Sequence, residues 1–363
     1  MKIVELQPEQ FKEFESNFPY RNFYQTEEYG MLMNRHKFNL EGSVFLVTGA
    51  TGLLGTAIIK YLMTNFNNVT VYALVRNPEK ANRIFSEYLC ENLKFIVSDV
   101  ENFKPENLNV DYIIHGASQT SSKAFIEQPV EIIKTAVDGT AAVLEFARVN
   151  PVKSFVFLST MEVYGTPETD DKIYETQNTN INILSVRSCY PESKRMCENL
   201  CVSYSGEYAV PIKIVRLTQT FGEGVPYDDG RVFAEFARCA IENRDIVLKT
   251  KGETKRCYLA LSDAVSAILT VMLCGENCNA YNAANEATYC SIREMAELVA
   301  EKCTGGKIKV LTEISEDVSK LGYAPTLKMN LSTEKLRSLG WEPEIGLAET
   351  FNIMINDMKS NKN

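Results

Sequence analysis

From Val44 onward, six short runs rich in β-branched residues alternate with longer amphipathic stretches. The runs are VFLVT (44–48), VTVYALV (69–75), LKFIVS (93–98), YIIHGA (112–117), SFVFLS (154–159) and IKIVRL (212–217). Helical spacing occupies the intervals near 54–65, 79–90, 129–149 and 189–205. Strands separated by helices cannot pair as hairpins, so this order predicts an α/β fold, a doubly wound parallel sheet with helices on both faces. Gly139 falls inside the third helical stretch, where a missing side chain allows close helix–sheet approach. After Arg216 the alternation breaks down. A loop-like FGEGVPYDDGR (221–231) precedes a helix at 232–243, a short strand and turn at 246–256, and a helix starting at Asp263. SIREMAELVAEK (291–302) has Ser291 and Glu294 in capping-box spacing. Leu336, Leu339, Trp341 and Leu347 anchor the C-terminal segment. The expected division is an aromatic-rich arm at 1–41, a first domain at 42–217, and a smaller mixed α/β domain over 218–363, with strands free to cross back. The arm carries Phe11, Phe14, Phe18, Tyr20, Phe23, Tyr24 and Tyr29, read as short helices or a segment packed on the body or on a neighbouring subunit.

Composition removes several classes of function. Among 363 residues, 38 Lys and Arg stand against 47 Asp and Glu, a net charge of −9 with no basic block. Such a chain is a poor binder of nucleic acid or anionic membranes. No apolar run has the length of a membrane span, and MKIVELQPEQ lacks the apolar core of a signal peptide. The ten cysteines include two CxxxC pairs, Cys197/Cys201 and Cys274/Cys278, but no CxxC, and there are only two histidines, His36 and His115. No metal site and no His-dependent hydrolase triad are expected, and the cysteines read as free thiols of a cytoplasmic protein.

The run VFLVT leads directly into GATGLLG, so Gly49, Gly52 and Gly55 open the next helix. Glycines there permit a tight turn and let backbone approach a pyrophosphate at the positive helix N-terminus. A strand, glycine loop and helix opening a multi-unit βα series read as a Rossmann-type NAD(P)-binding domain. The candidate cofactor contacts are Gly49, Thr51, Gly52, Leu53, Leu54 and Gly55 in the loop. Further along they are Arg76 after the second run, Asp99 and Val100 after the third, and Ala117 and Ser118 of HGAS after the fourth. Asp99 is placed to meet the adenine amino group. Arg76 stands where an acid usually binds the ribose. A guanidinium there can meet a 2′-phosphate, stack on adenine or face solvent, and the first option tilts the choice toward NADP.

The fifth run ends in STMEVYG (159–165), and about 30 residues later comes CYPESKRMCE (189–198). Tyr190 and Lys194, at i and i+4 on one helix, share a face. A phenol of pKa about 10 is a poor base at neutral pH, and a nearby ammonium lowers that pKa. Tyr190 can then take a hydroxyl proton while hydride leaves for nicotinamide, with Thr160 bonding the same hydroxyl. Tyr190 and Lys194 are also candidate cofactor contacts.

These motifs resemble those of the extended short-chain dehydrogenases/reductases that modify nucleotide sugars, over about residues 42–357. The marks are TGATGLLG (48–55), SDV (98–100), HGAS (115–118), STMEVYG, YPESK (190–194), RLTQTFG (216–222), GETKRCY (252–258) and LGWEP (339–343). Within that superfamily the chain looks most like UDP-glucuronate decarboxylases, through STMEVYG, RSCYPESKR (187–195) and DDGRV (228–232). The resemblance implies a nucleotide-diphosphate sugar substrate whose C4 hydroxyl is oxidised, catalytic Thr160, Glu162, Tyr190 and Lys194, and a two-fold homodimer built on the helices near 129–149 and 189–205. Val130, Ile133, Val137, Ala141 and Leu144 would form the dimer face or pack on the sheet. It also implies substrate contacts at Ser118, Glu162, Gln219, Arg231 and Arg256. Departures are Ala136 and Gln219, each where relatives usually carry Asn. Dehydratases of the superfamily typically have Asp-Glu after the Thr. Here the pair is Met161-Glu162, and a thioether cannot donate a proton. Decarboxylation is therefore the leading reaction. C4 epimerisation is the first alternative, dehydration or reduction the next, and a non-catalytic NAD(P)-binding protein stands outside the class.

Overall fold

The computed structural model describes residues 2–4, 40–314 and 326–361. The expected arm lies largely outside these residues. Only its first residues enter, as strand β1 (Lys2–Val4). The central strands are β2 (Val44–Thr48), β3 (Thr70–Val75), β4 (Leu93–Val97), β5 (Tyr112–His115), β6 (Ser154–Thr160) and β7 (Ile212–Leu217). They form a sheet in the order β1-β4-β3-β2-β5-β6-β7, closed by the strand Asn279–Ala283. Strands β2 to β6 run parallel, with Val47 opposite both Ala73 and Ile114, while β1 is antiparallel to β4. The chain winds outward from β2 to β4 and then returns to place β5 on the other side of β2. Ligands of open α/β sheets bind outside the strand ends at such a reversal.

The central strands are nearly continuous apolar runs because both faces are covered. The helix Pro129–Val149 packs on the helix Cys189–Tyr208. Of the expected dimer face, Val130 and Ile133 are exposed, but Leu144 is fully buried in the core with Phe155 and Ile212. Gly139 does permit a close approach, although its neighbour is not a strand. A Cβ there would lie 2.6 Å from Val100, in the 3-10 turn after β4. The helix expected to run to residue 90 stops at Ile84. Phe85 turns fully into the core and packs near Phe95, and a 3-10 turn follows at Ser86–Tyr88.

By its contacts the chain divides into two interleaved compact units. The first holds 1–163, 182–216 and 265–281, and the second holds 164–181, 217–264 and 282–363. No single cut near residue 217 separates them, because the segment 164–181 joins the second unit and 265–281 the first. The second unit carries a small sheet of strands Gln219–Phe221, Lys255–Ala260, Asn285–Ser291 and Lys328–Met329. Both halves of the Ser291–Glu294 capping box form, at 3.1 and 2.6 Å. Leu336, Trp341 and Leu347 are buried in this unit, and Leu339 is half-buried.

Candidate active site

The loop after β2 is shaped by two glycines that no other residue could replace. Gly49 has φ +70°, and a Cβ on it would stand 2.6 Å from the Gly116 carbonyl oxygen after β5. A Cβ on Gly55 would stand 2.3 Å from the Gly49 carbonyl oxygen. The helix Leu53–Asn65 therefore starts tight against the loop at the sheet's reversal. Its N-cap, Gly52, offers no side-chain acceptor, and its first turn carries no acid. The first amides of that helix are left for an anion. At the end of β5, Ser118 Oγ is buried and has no hydrogen-bond partner in the structure. An uncapped helix start and an orphaned hydroxyl on neighbouring strand ends fit a dinucleotide. Arg76 and Asp99 are exposed at the ends of β3 and β4, and Val100 is buried. Thr51, Leu53, Leu54 and Ala117 are half-buried around the loop and the end of β5.

Beneath the loop runs a buried polar chain. Thr48 Oγ1 accepts the amides of Gly116 and Ala117 at 3.2 and 3.1 Å and bonds His115 Nδ1 at 2.7 Å. His115 Nε2 bonds Thr140 Oγ1 at 3.1 Å, and Thr140 donates to Cys197 Sγ at 3.3 Å. Four elements are tied together with no buried donor wasted. Burial first, and the Lys194 charge second, push the His115 ring down to about 3, so it is a neutral structural link.

The catalytic candidates of the first unit cluster at the end of β6. Thr160 and Tyr190 are both buried. Tyr190 is stacked on Phe125, with ring centroids 4.5 Å apart and planes 14° from parallel. Burial raises the Tyr190 pKa above its ordinary value. The Glu162 charge adds to the rise, while the Thr160 hydroxyl and the Arg187 charge oppose it. Lys194 differs from the sequence expectation. Its ammonium donates to the Leu158 carbonyl at 2.8 Å and sits 4.6 Å from the centre of the Phe157 ring. Burial lowers its pKa. One helical turn beyond Tyr190, its ammonium is committed to the β6 backbone, and the Arg187 charge is the one that lowers the Tyr190 pKa. Ser159 is held by Glu198 at 2.5 Å, and Arg216 grips the same carboxylate at 2.7 and 3.0 Å, so the strand end is braced from two sides.

Glu162 follows in a 3-10 turn with its side chain partly open. Its amide donates to Thr160 Oγ1 at 3.3 Å, and Arg187 bridges its carboxylate oxygens. Met161, between Thr160 and Glu162, is buried. Arg187 and Phe125 join the site without a signal in the Tyr190–Lys194 spacing. Arg187 lies three residues before Tyr190 in RSCYPESKR, which places it near the same helix face, whereas nothing in the sequence pointed to Phe125.

In the second unit, Arg256 donates from Nη1 to Gln219 Oε1 at 3.1 Å, and its Nε is buried without a partner. Arg231 forks onto Asp229 at 2.7 to 3.1 Å and lies over the Phe233 ring. Its charge is thus already paired within its own loop. Among the described residues, no group of three or more His, Cys, Asp or Glu side chains is placed to hold a metal ion. No described helix is long and apolar enough to cross a membrane.

A reversal-point glycine loop after β2, with a Thr–Tyr–Lys set on the end of β6 and the helix Cys189–Tyr208, defines the class: a dinucleotide-dependent enzyme on a Rossmann-type sheet. The chain belongs to the NAD dependent epimerase/dehydratase family, whose model matches residues 45–284. It is 31% identical to UDP-glucuronic acid decarboxylase 4 of Arabidopsis thaliana, over 86% of this chain and 68% of that protein. It is 30% identical to UDP-glucuronic acid decarboxylase 1 of Xenopus tropicalis, over 86% of this chain and 71% of that protein. Among solved structures, UDP-glucose 4-epimerase from Thermotoga maritima superposes with a TM-score of 0.73 at 22% identity, covering 88% of this chain and all of the other. UDP-glucuronic acid 4-epimerase from Bacillus cereus, in complex with NAD, gives 0.72 at 20% identity, covering 88% of this chain and all of the other. At such identities these structures speak for the fold.

Proposed function

We propose that this enzyme oxidises the C4 hydroxyl of a UDP-sugar and decarboxylates UDP-glucuronate. The observation that carries the reading is the end of β6. A buried Thr160–Tyr190 pair sits two residues from a partly open Glu162, with an inert Met161 between them. The loop after β2, with Ser118, would hold the dinucleotide, which supplies a hydride acceptor when bound. The other steps fall to this chain. Thr160 orients the C4 hydroxyl, and Tyr190 takes its proton. The C4 ketone then lies β to the C6 carboxylate. The C5–C6 bond breaks, its electron pair enters the ketone as an enolate, and carbon dioxide leaves; C5 then takes a proton, and C4 takes back hydride and the Tyr190 proton, restoring the C4 hydroxyl of a UDP-pentose. Glu162 holds the sugar at C5 and C6 through these later steps. Gln219, Arg231 and Arg256 are the proposed phosphate- and sugar-side contacts.

The relatives named above as UDP-glucuronic acid decarboxylases support this substrate, and Arg76 supports a preference for NADP over NAD. The exposed Val130 and Ile133, with Met196 and Val202 of the adjoining helix, support a homodimer. A two-subunit mass by light scattering checks that assembly.

The test is incubation of the purified protein with NAD⁺ or NADP⁺ and a panel of UDP- and dTDP-sugars, with products identified by mass. UDP-glucuronate should lose carbon dioxide to give a UDP-pentose, and Arg76→Ala should erase any preference for NADP⁺. Glu162→Gln should still reduce the cofactor on adding substrate and then stall. Normal turnover of Glu162→Gln with an isomeric product would overturn decarboxylation in favour of C4 epimerisation.

A further inference from the structure

Arg187 lies in the one-turn 3-10 helix Val186–Ser188 that leads into the helix Cys189–Tyr208. One of its terminal nitrogens stands 3.0 and 2.9 Å from the two carboxylate oxygens of Glu162. Its guanidinium carbon is 4.7 Å from the centre of the Phe125 ring, the ring on which Tyr190 is stacked. A single side chain thus touches the acid and also the aromatic platform of the tyrosine.

We propose that Arg187 is a positioning residue that lets Glu162 and Tyr190 work side by side, by pairing the carboxylate and by seating the Phe125–Tyr190 stack. The inference deepens the proposed function and rests on Tyr190 being the base. An acid beside a tyrosine base is a liability, because a negative charge disfavours the phenolate. The charged and titratable groups around Tyr190 are few. Glu162 approaches from the turn after β6, Arg187 and Cys189 from the start of its own helix, and Lys194 from the next turn, where it is committed to Leu158. The segment bearing Phe125 offers that ring, its Lys123–Glu127 pair being largely exposed, and the helix Pro129–Val149 offers the apolar Ile132. Arg187 is the cation that offsets Glu162, and it does so at hydrogen-bond distance.

The test uses full-length protein with NAD⁺ bound and two readouts. The first is the phenolate absorbance of Tyr190, obtained as the difference from Tyr190→Phe during a pH titration. In Arg187→Met the midpoint should rise by about one pH unit, and adding Glu162→Gln in the same chain should bring it back. Glu162→Gln alone should lower it, which keeps the test intact if Arg187→Met does not fold. Arg187→Lys should keep the wild-type midpoint, because the charge remains. The second readout is turnover of UDP-glucuronate. In Arg187→Met the acidic limb of kcat should move with the midpoint, a roughly tenfold loss at neutral pH, while KM changes little. A midpoint unmoved by Arg187→Met, or an elevated midpoint that Glu162→Gln does not reverse, overturns the role of Arg187. Full activity of Tyr190→Phe overturns the underlying reading instead.

Discussion

The two units present their functional candidates in opposite ways. In the first, Thr160, Tyr190 and Lys194 are buried, and each is held by an atom from a distant part of the chain or by the core. In the second, Arg231 and Arg256 are only partly buried and are held by single polar side chains, Asp229 two residues away and Gln219 on an adjacent strand. Chemistry that needs an exact proton path is set in rigid secondary structure, where strand ends and helix pitch fix distances. Binding of an anion tolerates arginines that are less buried, provided acids and amides beside them keep them oriented. The buried Arg256 Nε without a partner is the second unit's counterpart of the Ser118 hydroxyl in the first.

The sharpest way to break this comparison is Tyr190→Phe. It keeps the stack on Phe125 but removes the ionisable hydroxyl, so turnover should fall by roughly 10²–10⁴-fold while UDP-sugar binding is nearly unchanged. Equal losses in binding and turnover would place Tyr190 in recognition and erase the contrast. Arg256→Ala should do the reverse. One charge-assisted hydrogen bond is worth about 1.5–3 kcal/mol, so KM for the UDP-sugar should rise roughly ten- to a hundredfold with kcat little changed. A collapse of kcat at constant KM would move Arg256 to the chemistry.

The smallest effect concerns pH, where the units pull in opposite directions. His115 is neutral in the fold, pushed down to about 3, whereas unfolded it titrates near about 6.5. Its contribution to stability is full above that unfolded value and is lost as acid is added. Asp263, in the second unit, is buried and accepts the amides of Glu344 and Ile345 at 3.1 to 3.2 Å. Burial pushes its carboxyl up to about 7. The folded chain therefore holds a proton that the unfolded chain releases near about pH 4. That contribution is full in acid and is lost as pH rises through about 7. Asp263→Asn keeps the neutral form at every pH. Relative to the wild type its Tm should rise by about 2–4 °C between mildly acidic and mildly alkaline buffer. A constant difference would refute the assignment.

Much of the fold could be read because periodicity is a local property. The β-branched runs and the helical stretches fall within a few residues of the observed elements, and the Ser291 capping box forms as its spacing requires. The exceptions have tertiary causes. The helix at Ile84 ends early because Phe85 is drawn into the core, and of the two packings open to Leu144 the core one is taken because Phe155 and Ile212 lie beneath it. At the site, the YPESK spacing placed Tyr190 and Lys194 on one helix face but could not say where the ammonium would go. The DDGRV motif singled out Arg231 as a candidate substrate arginine but not that Asp229 would pair with it.

By itself, then, the sequence determined the alternating α/β order, the glycine loop after β2, and the presence of Thr160, Glu162, Tyr190 and Lys194. Each depends on residue types at short, regular separations, which the 2.0 and 3.6 periods of strand and helix translate directly into faces. Only the tertiary structure decided that Arg187 meets Glu162 across 25 residues of chain, that Lys194 bonds Leu158 across 36, and that Thr48, His115, Thr140 and Cys197 join in one buried line. Those pairings follow from which elements pack together and at what depth. Burial then sets the charge state of each group, a property of the surroundings rather than of the residue.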